Sequence, residues 1–189
     1  MILVIDTSSS VSALATINGR RATILLPARS PELLPQLRRL AGENKIEKVA
    51  VATGPGSFTG LRVGVSFGLG LAMGLRIPIV PLPTLELQAA RGHGKLTAVS
   101  EAGRGRFYYL RPGGHPSLGT PDEIPHANGL VGLLSAKTRA ELSLRGLVVA
   151  DDGQVLGVAD AAEKLLKSAH EVPYESVKLE YMQSFGPRL

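Results

Sequence analysis

"ILVIDTSSSVSALATINGRRATILL", Ile2 to Leu26, opens the chain with three apolar runs and one clear turn. The first, "ILVID", is short and continuously apolar, the pattern of a strand buried on both faces. "SALATI" and "RATILL" follow, joined by Asn18-Gly19, the strongest short-range hairpin signal. Three consecutive strands in an antiparallel meander are therefore expected.

Outward from this meander the rhythm continues. "SPELLPQLRRLAGEN" reads as a helix, with Ser30 as N-cap and Pro31 at the first helical position. Leu33, Leu34, Leu37 and Leu40 line one face of it, and Gly42 stands near the stop. "EKVAVAT" is a second buried strand, and "GPGSFTGLRVGVSFGLGLAMGL" supplies a loop and a long helix ended by Pro78. "IPIVPL" is a fifth strand, and "PTLELQAARG" starts a third helix with Thr84 as a cap. The order β-β-β-α-β-α-β-α is that of the ribonuclease-H-like unit, a mixed five-stranded sheet with helices on both sides. Actin-like, sugar-kinase and Hsp70-type ATPases duplicate this unit, so the order bounds the architecture and leaves the chemistry open.

The second half is less regular. "KLTAVSEA" and "RFYYLRP" read as strands joined by a "GRG" turn, and Pro112-Gly113-Gly114 with Pro116 as a loop. "NGLVGLLSAK" is expected as a short helix, "LRGLVVADD" as a strand, and "VADAAEKLLKSA" as a helix with Leu165 and Leu166 facing inward. This makes a reduced second copy of the unit. We assign residues 1–95 to an N-terminal ribonuclease-H-like lobe and residues 96–189 to a reduced C-terminal lobe.

The 189 residues, 44% hydrophobic and 20% charged, suit a globular chain with a substantial core. With 4% aromatics and no Trp, that core must be built from Leu, Val, Ile and Ala. No Cys is present, which excludes disulfides, thiolate metal sites and Cys nucleophiles. "MILVIDTSSS" lacks the basic start and long apolar run of a signal peptide. The charge-free run Val63–Leu75 is short of the roughly 20 apolar residues of a membrane span. A soluble, cytoplasmic chain without membrane attachment is expected. Residues 1–95 carry 11 Lys+Arg against 5 Asp+Glu, and residues 96–189 carry 10 against 11, so the net +5 resides in the first half. That fits nucleic acid or an acidic partner, and equally an Arg-rich surface without such a role.

Candidate chemistry centres first on Asp6, at the end of the first strand. Nucleases of this fold hold metal there, but they need further carboxylates on the same ions. Only Glu32 offers itself on the first helix, and Ala52-Thr53-Gly54 ends the fourth strand. The ATPases start a phosphate loop there, and "DTSSS" resembles it with serine in place of the glycine that permits close backbone approach. Asp6, Thr7 and Ser8 are thus candidates for a vestigial phosphate loop, or for a satisfied strand-turn network. His93, His115, His126 and His170 are scattered without metal-ligand spacing. Asp151-Asp152 reads as a turn, and Arg104 and Arg106 beside Tyr108 and Tyr109 as a basic hairpin tip that can meet phosphate or RNA.

"GPGSFTGLR" is neither a Walker A loop, lacking Lys-Ser/Thr after Gly60, nor the dinucleotide fingerprint. Thr59 is a candidate N-cap. Gly60, Gly64 and Gly68 are spaced four apart and share a helix face. Each costs roughly 1 kcal/mol against Ala in a helix interior, so close backbone approach must compensate. Two readings stand: packing on the sheet, or contact with a neighbouring helix of another chain.

"ILVIDTS", "SPELLP" and above all "GPGSFTGLRVG" followed by "IPIVPLPTLE" are similar to the TsaB (YeaZ) family, closely over residues 1–91 and loosely beyond. The resemblance implies an actin-like ASKHA fold with a reduced second lobe, and a subunit without catalysis, metal or cofactor of its own. It implies a scaffold for the catalytic paralogue TsaD, which transfers threonylcarbamoyl to adenosine 37 of tRNA (t6A), with the ATPase TsaE joining them. It also implies a helix-bundle contact through the first two helices, here Leu33, Leu34, Leu37, Gly60, Leu61, Gly64, Val65 and Gly68, and a homodimer when alone. The sequence departs from the family at Arg29-Ser30-Pro31-Glu32, at Glu101–Gly105, and at "LEYMQSF", residues 179–185. The rival readings are an actin-like-fold ATPase and a tRNA-binding accessory module. A peptidase of this superfamily would need metal histidines that the chain lacks.

Overall fold

A computed structural model describes residues 1–19, 21–43 and 45–182. Strands β1 (Ile2–Asp6), β2 (Val11–Ile17) and β3 (Ala22–Pro27) form the expected meander. Asn18 takes a left-handed conformation (φ 58°) at its first turn, as such hairpins require. Helix α1 (Leu33–Glu43), β4 (Lys48–Gly54), α2 (Phe58–Leu75), β5 (Ile79–Pro83) and α3 (Thr84–Arg91) complete the unit. The sheet order is β3-β2-β1-β4-β5, with β1, β4 and β5 mutually parallel.

The continuous apolar strands are covered on both faces. Leu3, Ile5, Leu14, Val49, Val51 and Ile79 meet Leu33, Leu37 and Leu40 of α1 and Val65 and Ala72 of α2. Val4, Ala13, Ala15, Ala50, Val80 and Leu82 turn the other way, onto Leu87 of α3 and onto helix α5 (Val158–Leu165). Alternation within β1 thus feeds two cores with no polar face between them. On α5 the inward residues are Val158, Ala159, Ala161 and Ala162, with Leu165 and Leu166 half-buried beside them.

A second sheet, β8-β7-β6-β9, comprises β6 (Thr97–Gly103), β7 (Arg106–Leu110), β8 (Ser117–Gly119) and β9 (Leu130–Val131). Helix α3 lies between the sheets: Leu87 joins the core shared with α5, while Leu85 packs with Ala98, Tyr108 and Val131.

Three local expectations fail. The "NGLVGLLSAK" segment is not a helix: Leu130 and Val131 point into different clusters, which is strand alternation. A Cβ at Gly132 would lie 2.4 Å from the Val99 carbonyl oxygen, so this segment is pressed edge-on against β6. The helix begins later, as α4 (Ala136–Ser143), where Ser135 caps the Thr138 N–H. "LRGLVVADD" contributes a single bridge, Val149 to Leu130, and no strand. The loop expected at Pro112–Pro116 is present, and β8 follows it at Ser117–Gly119. Ser30 accepts from the Glu32 N–H at 3.2 Å in a turn that precedes α1, so Pro31 lies outside the helix.

Beyond α5 the chain turns back as a strap, residues 171–182. Val172 bridges Ile79 at the β5 edge, and the Tyr174 hydroxyl meets the Ala72 and Ile77 carbonyls at the end of α2 (3.2 and 3.0 Å). Val177 and Leu179 pack on the first core, the Glu180 N–H donates to Thr53 (2.8 Å), and Tyr181 stacks on Phe58. The strap therefore runs the length of α2 in the opposite direction. Of the departure at "LEYMQSF", residues 183–185 fall outside the described residues.

Candidate functional site

The loop after β1 is closed upon itself. Asp6 is fully buried, and its carboxylate accepts from the Ser8 N–H (2.9 Å), the Ser8 hydroxyl (2.5 Å) and the Gln88 side-chain amide (3.1 Å). Burial raises its pKa above the ordinary 3.8, against the opposing pull of these hydrogen bonds and of Arg91. The chain of contacts runs on from Gln88 to Arg91, and from Arg91 to Asp152 (2.8 Å) and the Leu156 carbonyl (3.0 Å). The sequence reading missed Gln88 and Arg91. Their three-residue spacing on α3, one turn apart, was the available signal.

Thr7 and Ser8 are engaged by the glycine loop. The Thr7 hydroxyl donates to the Gly60 carbonyl (2.7 Å), and the Ser8 carbonyl accepts from the Ser57 N–H (2.7 Å). A Cβ on Gly56 would stand 2.5 Å from that same Ser8 oxygen. The two loops that would face a phosphate are packed against each other. The polar groups of Asp6, Thr7 and Ser8 are hydrogen-bonded within the protein. Gly54 (φ 116°) serves a related need: the Glu180 carbonyl sits 2.6 Å from where its Cβ would be.

Ser57, not Thr59, caps α2, accepting from the Gly60 N–H. The glycine stripe that follows lies inward. Cβ atoms at Gly60, Gly64 and Gly68 would fall 1.9 Å from the Thr7 carbonyl oxygen, 2.2 Å from its hydroxyl and 2.2 Å from Val51 Cγ1. Sheet packing is therefore the reading that accounts for these glycines. Leu61 and Val65, with Leu33 and Leu37 of α1, are buried in the same layer. Of the eight residues named for a partner contact, Leu34 alone is exposed.

What faces solvent is the opposite ridge of α2: Thr59, Val63, Ser66, Gly70, Met73 and Gly74. Met73 is 57% and Val63 36% exposed, Leu75 at the helix end 49%, and Phe58 at its start 40%. A Cβ at Gly70 or Gly74 would have no neighbour within 4 Å, so no intramolecular packing calls for these glycines. The helix has a mean hydropathy of 1.4, yet only 28% of it is buried. By length and composition it passes for a membrane span, but one face is fixed to the sheet by the close contacts above.

A cleft of about 900 Å³ separates the β1–β2 turn from β6, β7 and α4. Glu101 holds its floor, accepting from the Thr138 and Ser9 hydroxyls, while Ser10 accepts from the Ser135 N–H (2.8 Å). Arg106 lines the cleft, and Arg104 occupies the hairpin tip in a left-handed conformation (φ 54°). Tyr108 is buried and its hydroxyl pKa is raised by burial; Tyr109 is half-buried. All four histidines lie at least partly in solvent, and no group of three or more metal-ligating side chains occurs among the described residues.

The family model described as TsaD, tRNA N6-adenosine threonylcarbamoyltransferase, matches residues 38–125. The chain is 34% identical over 120 residues to the tRNA threonylcarbamoyladenosine biosynthesis protein TsaB of Bacillus subtilis, covering 57% of this chain and 52% of that one. Against the protein of the same name from Haemophilus influenzae it is 32% identical over 97 residues, covering 47% and 41%. The chain spans about half the length of the curated relatives it matches. In fold it is similar to YeaZ from Pseudomonas aeruginosa, with a TM-score of 0.69 at 22% identity over 96% of this chain and 99% of that one. The actin-like, ribonuclease-H-like architecture follows from this likeness and from the sheet order above.

Proposed function

We propose that the chain is a member of the TsaB (YeaZ) family and serves tRNA threonylcarbamoyladenosine biosynthesis as a non-catalytic scaffold. Its partner is a TsaD-type paralogue, docked on the outer ridge of α2. A TsaE-type ATPase and tRNA meet the chain through that pair. One observation carries the reading: an apolar helix with Val63, Met73 and Leu75 in solvent, where a surface helix ordinarily presents charge. The loops around Asp6 support it, because their hydrogen-bonding groups are engaged with each other.

The test is the solution mass of this chain mixed with its cognate TsaD-type subunit, with the wild type and Val63→Asp compared. A complex at micromolar concentration is expected for the wild type. Val63→Asp weakens it by about tenfold or more, the scale of a central apolar anchor, while the melting temperature of the isolated chain stays within about 2 °C, as befits an exposed site. Absence of any wild-type complex defeats the proposal.

A further inference from the structure

The cleft beside the β1–β2 turn holds charged groups that the fold itself does not pair. Its volume of about 900 Å³ is that of a small-molecule site. Phe107 and Leu142 are anchored in one apolar cluster behind it, which makes this wall rigid, and Leu144 on the same wall is 88% exposed. Arg29 enters from the turn after β3, in a left-handed conformation (φ 61°), and Arg106 from the start of β7. Both side chains are exposed, and neither makes a hydrogen bond or an ion pair among the described residues. Glu123, within electrostatic reach of Arg106, is itself held by the Thr120 N–H (2.7 Å) and hydroxyl (2.9 Å).

The floor carries the opposite charge. Glu101 is half-buried and fixed by neutral groups, the Thr138 hydroxyl donating to Oε1 and the Ser9 hydroxyl to Oε2 (3.5 Å). No cation is paired with it among the described residues. The other ionised groups of the lining are engaged, Glu141 with Lys137 (3.9 Å) and Arg145 with Asp122 (2.8 Å). What remains is two guanidiniums, one carboxylate and an apolar wall. A simple anion on the arginines would stand beside the Glu101 carboxylate, and a simple cation on Glu101 would stand beside the arginines. A zwitterion satisfies both, its carboxylate on the guanidinium forks and its ammonium on Glu101. A nucleoside phosphate fits less well, since the phosphate loop of this fold is closed by the contacts of Thr7, Ser8 and Gly56.

We propose that the cleft binds a zwitterion of the amino-acid class whose apolar side chain packs against Phe107, Leu142 and Leu144. A free amino acid and a short peptide with free ends offer the same chemistry. The cleft shares no residue with the outer ridge of α2, so this site and the docking reading are tested separately.

The experiment is isothermal titration calorimetry of the full chain with L-leucine, Leu-Leu, glycine, leucinamide, N-acetyl-leucine and AMP. L-Leucine or Leu-Leu binds with a Kd of about 1 mM or below, and the tighter of the two identifies the source. Glycine, without the apolar group, binds at least about tenfold more weakly. Leucinamide, without the carboxylate, and N-acetyl-leucine, without the ammonium, each lose about tenfold or more. Arg29→Gln and Arg106→Gln weaken leucine by a similar factor and leave leucinamide unchanged. Glu101→Gln weakens leucine and leaves N-acetyl-leucine unchanged. A merely structural role for these side chains would weaken every ligand alike. The proposal is overturned if neither leucine nor Leu-Leu binds at about 10 mM, if the variants lose all ligands equally, or if AMP binds more tightly than either zwitterion.

Discussion

Two substitutions two residues apart on α2 are expected to have opposite signs. Gly→Ala in a helix interior gains about 1 kcal/mol from propensity if the new methyl meets nothing. At Gly70 it meets nothing within 4 Å, so the gain is realised. At Gly68 the methyl falls 2.2 Å from Val51 Cγ1, with Val49 Cγ1 at 3.5 Å. Ordinary carbon contacts are about 3.5–4.0 Å, and Val51 is a fully buried, β-branched residue of a central strand, stiff at χ1. Overpacking of this kind costs about 1–3 kcal/mol, and here the rigid neighbour puts it near the upper end, leaving a net loss of about 2 kcal/mol. For a chain of this size 1 kcal/mol moves the melting temperature by about 2–4 °C. Gly70→Ala should therefore melt about 2–4 °C above wild type, and Gly68→Ala about 4–8 °C below it. Thermal unfolding followed by circular dichroism, with urea midpoints as a check on slope, separates the two. If Gly68→Ala stabilises the chain as Gly70→Ala does, the Gly60/Gly64/Gly68 face does not meet the sheet, and the docking ridge has been put on the wrong side of the helix.

Two further outcomes follow from the buried polar contacts. Because burial raises the Asp6 pKa above 3.8, the folded state binds a proton that the unfolded state releases in the interval above that value. Stability from this group is fully present below the unfolded pKa and declines as pH rises through the folded one, opposite in sign to a salt-bridged carboxylate; urea midpoints across that range should show this slope in wild type and lose it in Asp6→Asn. Tyr174→Phe removes the hydroxyl that meets the Ala72 and Ile77 carbonyls, and should cost about 1 kcal/mol in a urea titration; an unchanged midpoint would mean the strap does not hold the end of α2.

The first sheet was legible because each of its signals is local. A four-residue apolar run, an Asn-Gly pair and a proline after a helix act within a few residues, and their order alone selects the topology. The second sheet depends on contacts far apart in sequence. Leu130 and Val131 are a strand because β6 offers an edge to them and Gly132 fits beneath Val99, and neither fact can be read from "NGLVGLL". The same limit applies to the glycine stripe of α2. Spacing by four marks Gly60, Gly64 and Gly68 as one stripe, but Ser66, Gly70 and Gly74 form a second stripe with the same spacing. Periodicity counts faces without saying which one the sheet takes. The apolar residues do not decide it either, since Val63 and Met73 on one side match Leu61 and Val65 on the other. That ambiguity is itself informative. A helix held to its own sheet on one side, with Val63 and Met73 exposed on the other, has no polar face to give away its orientation. The choice falls to the Thr7 carbonyl and Val51, which leave no room for a Cβ on one side, while Gly70 and Gly74 leave the other side open.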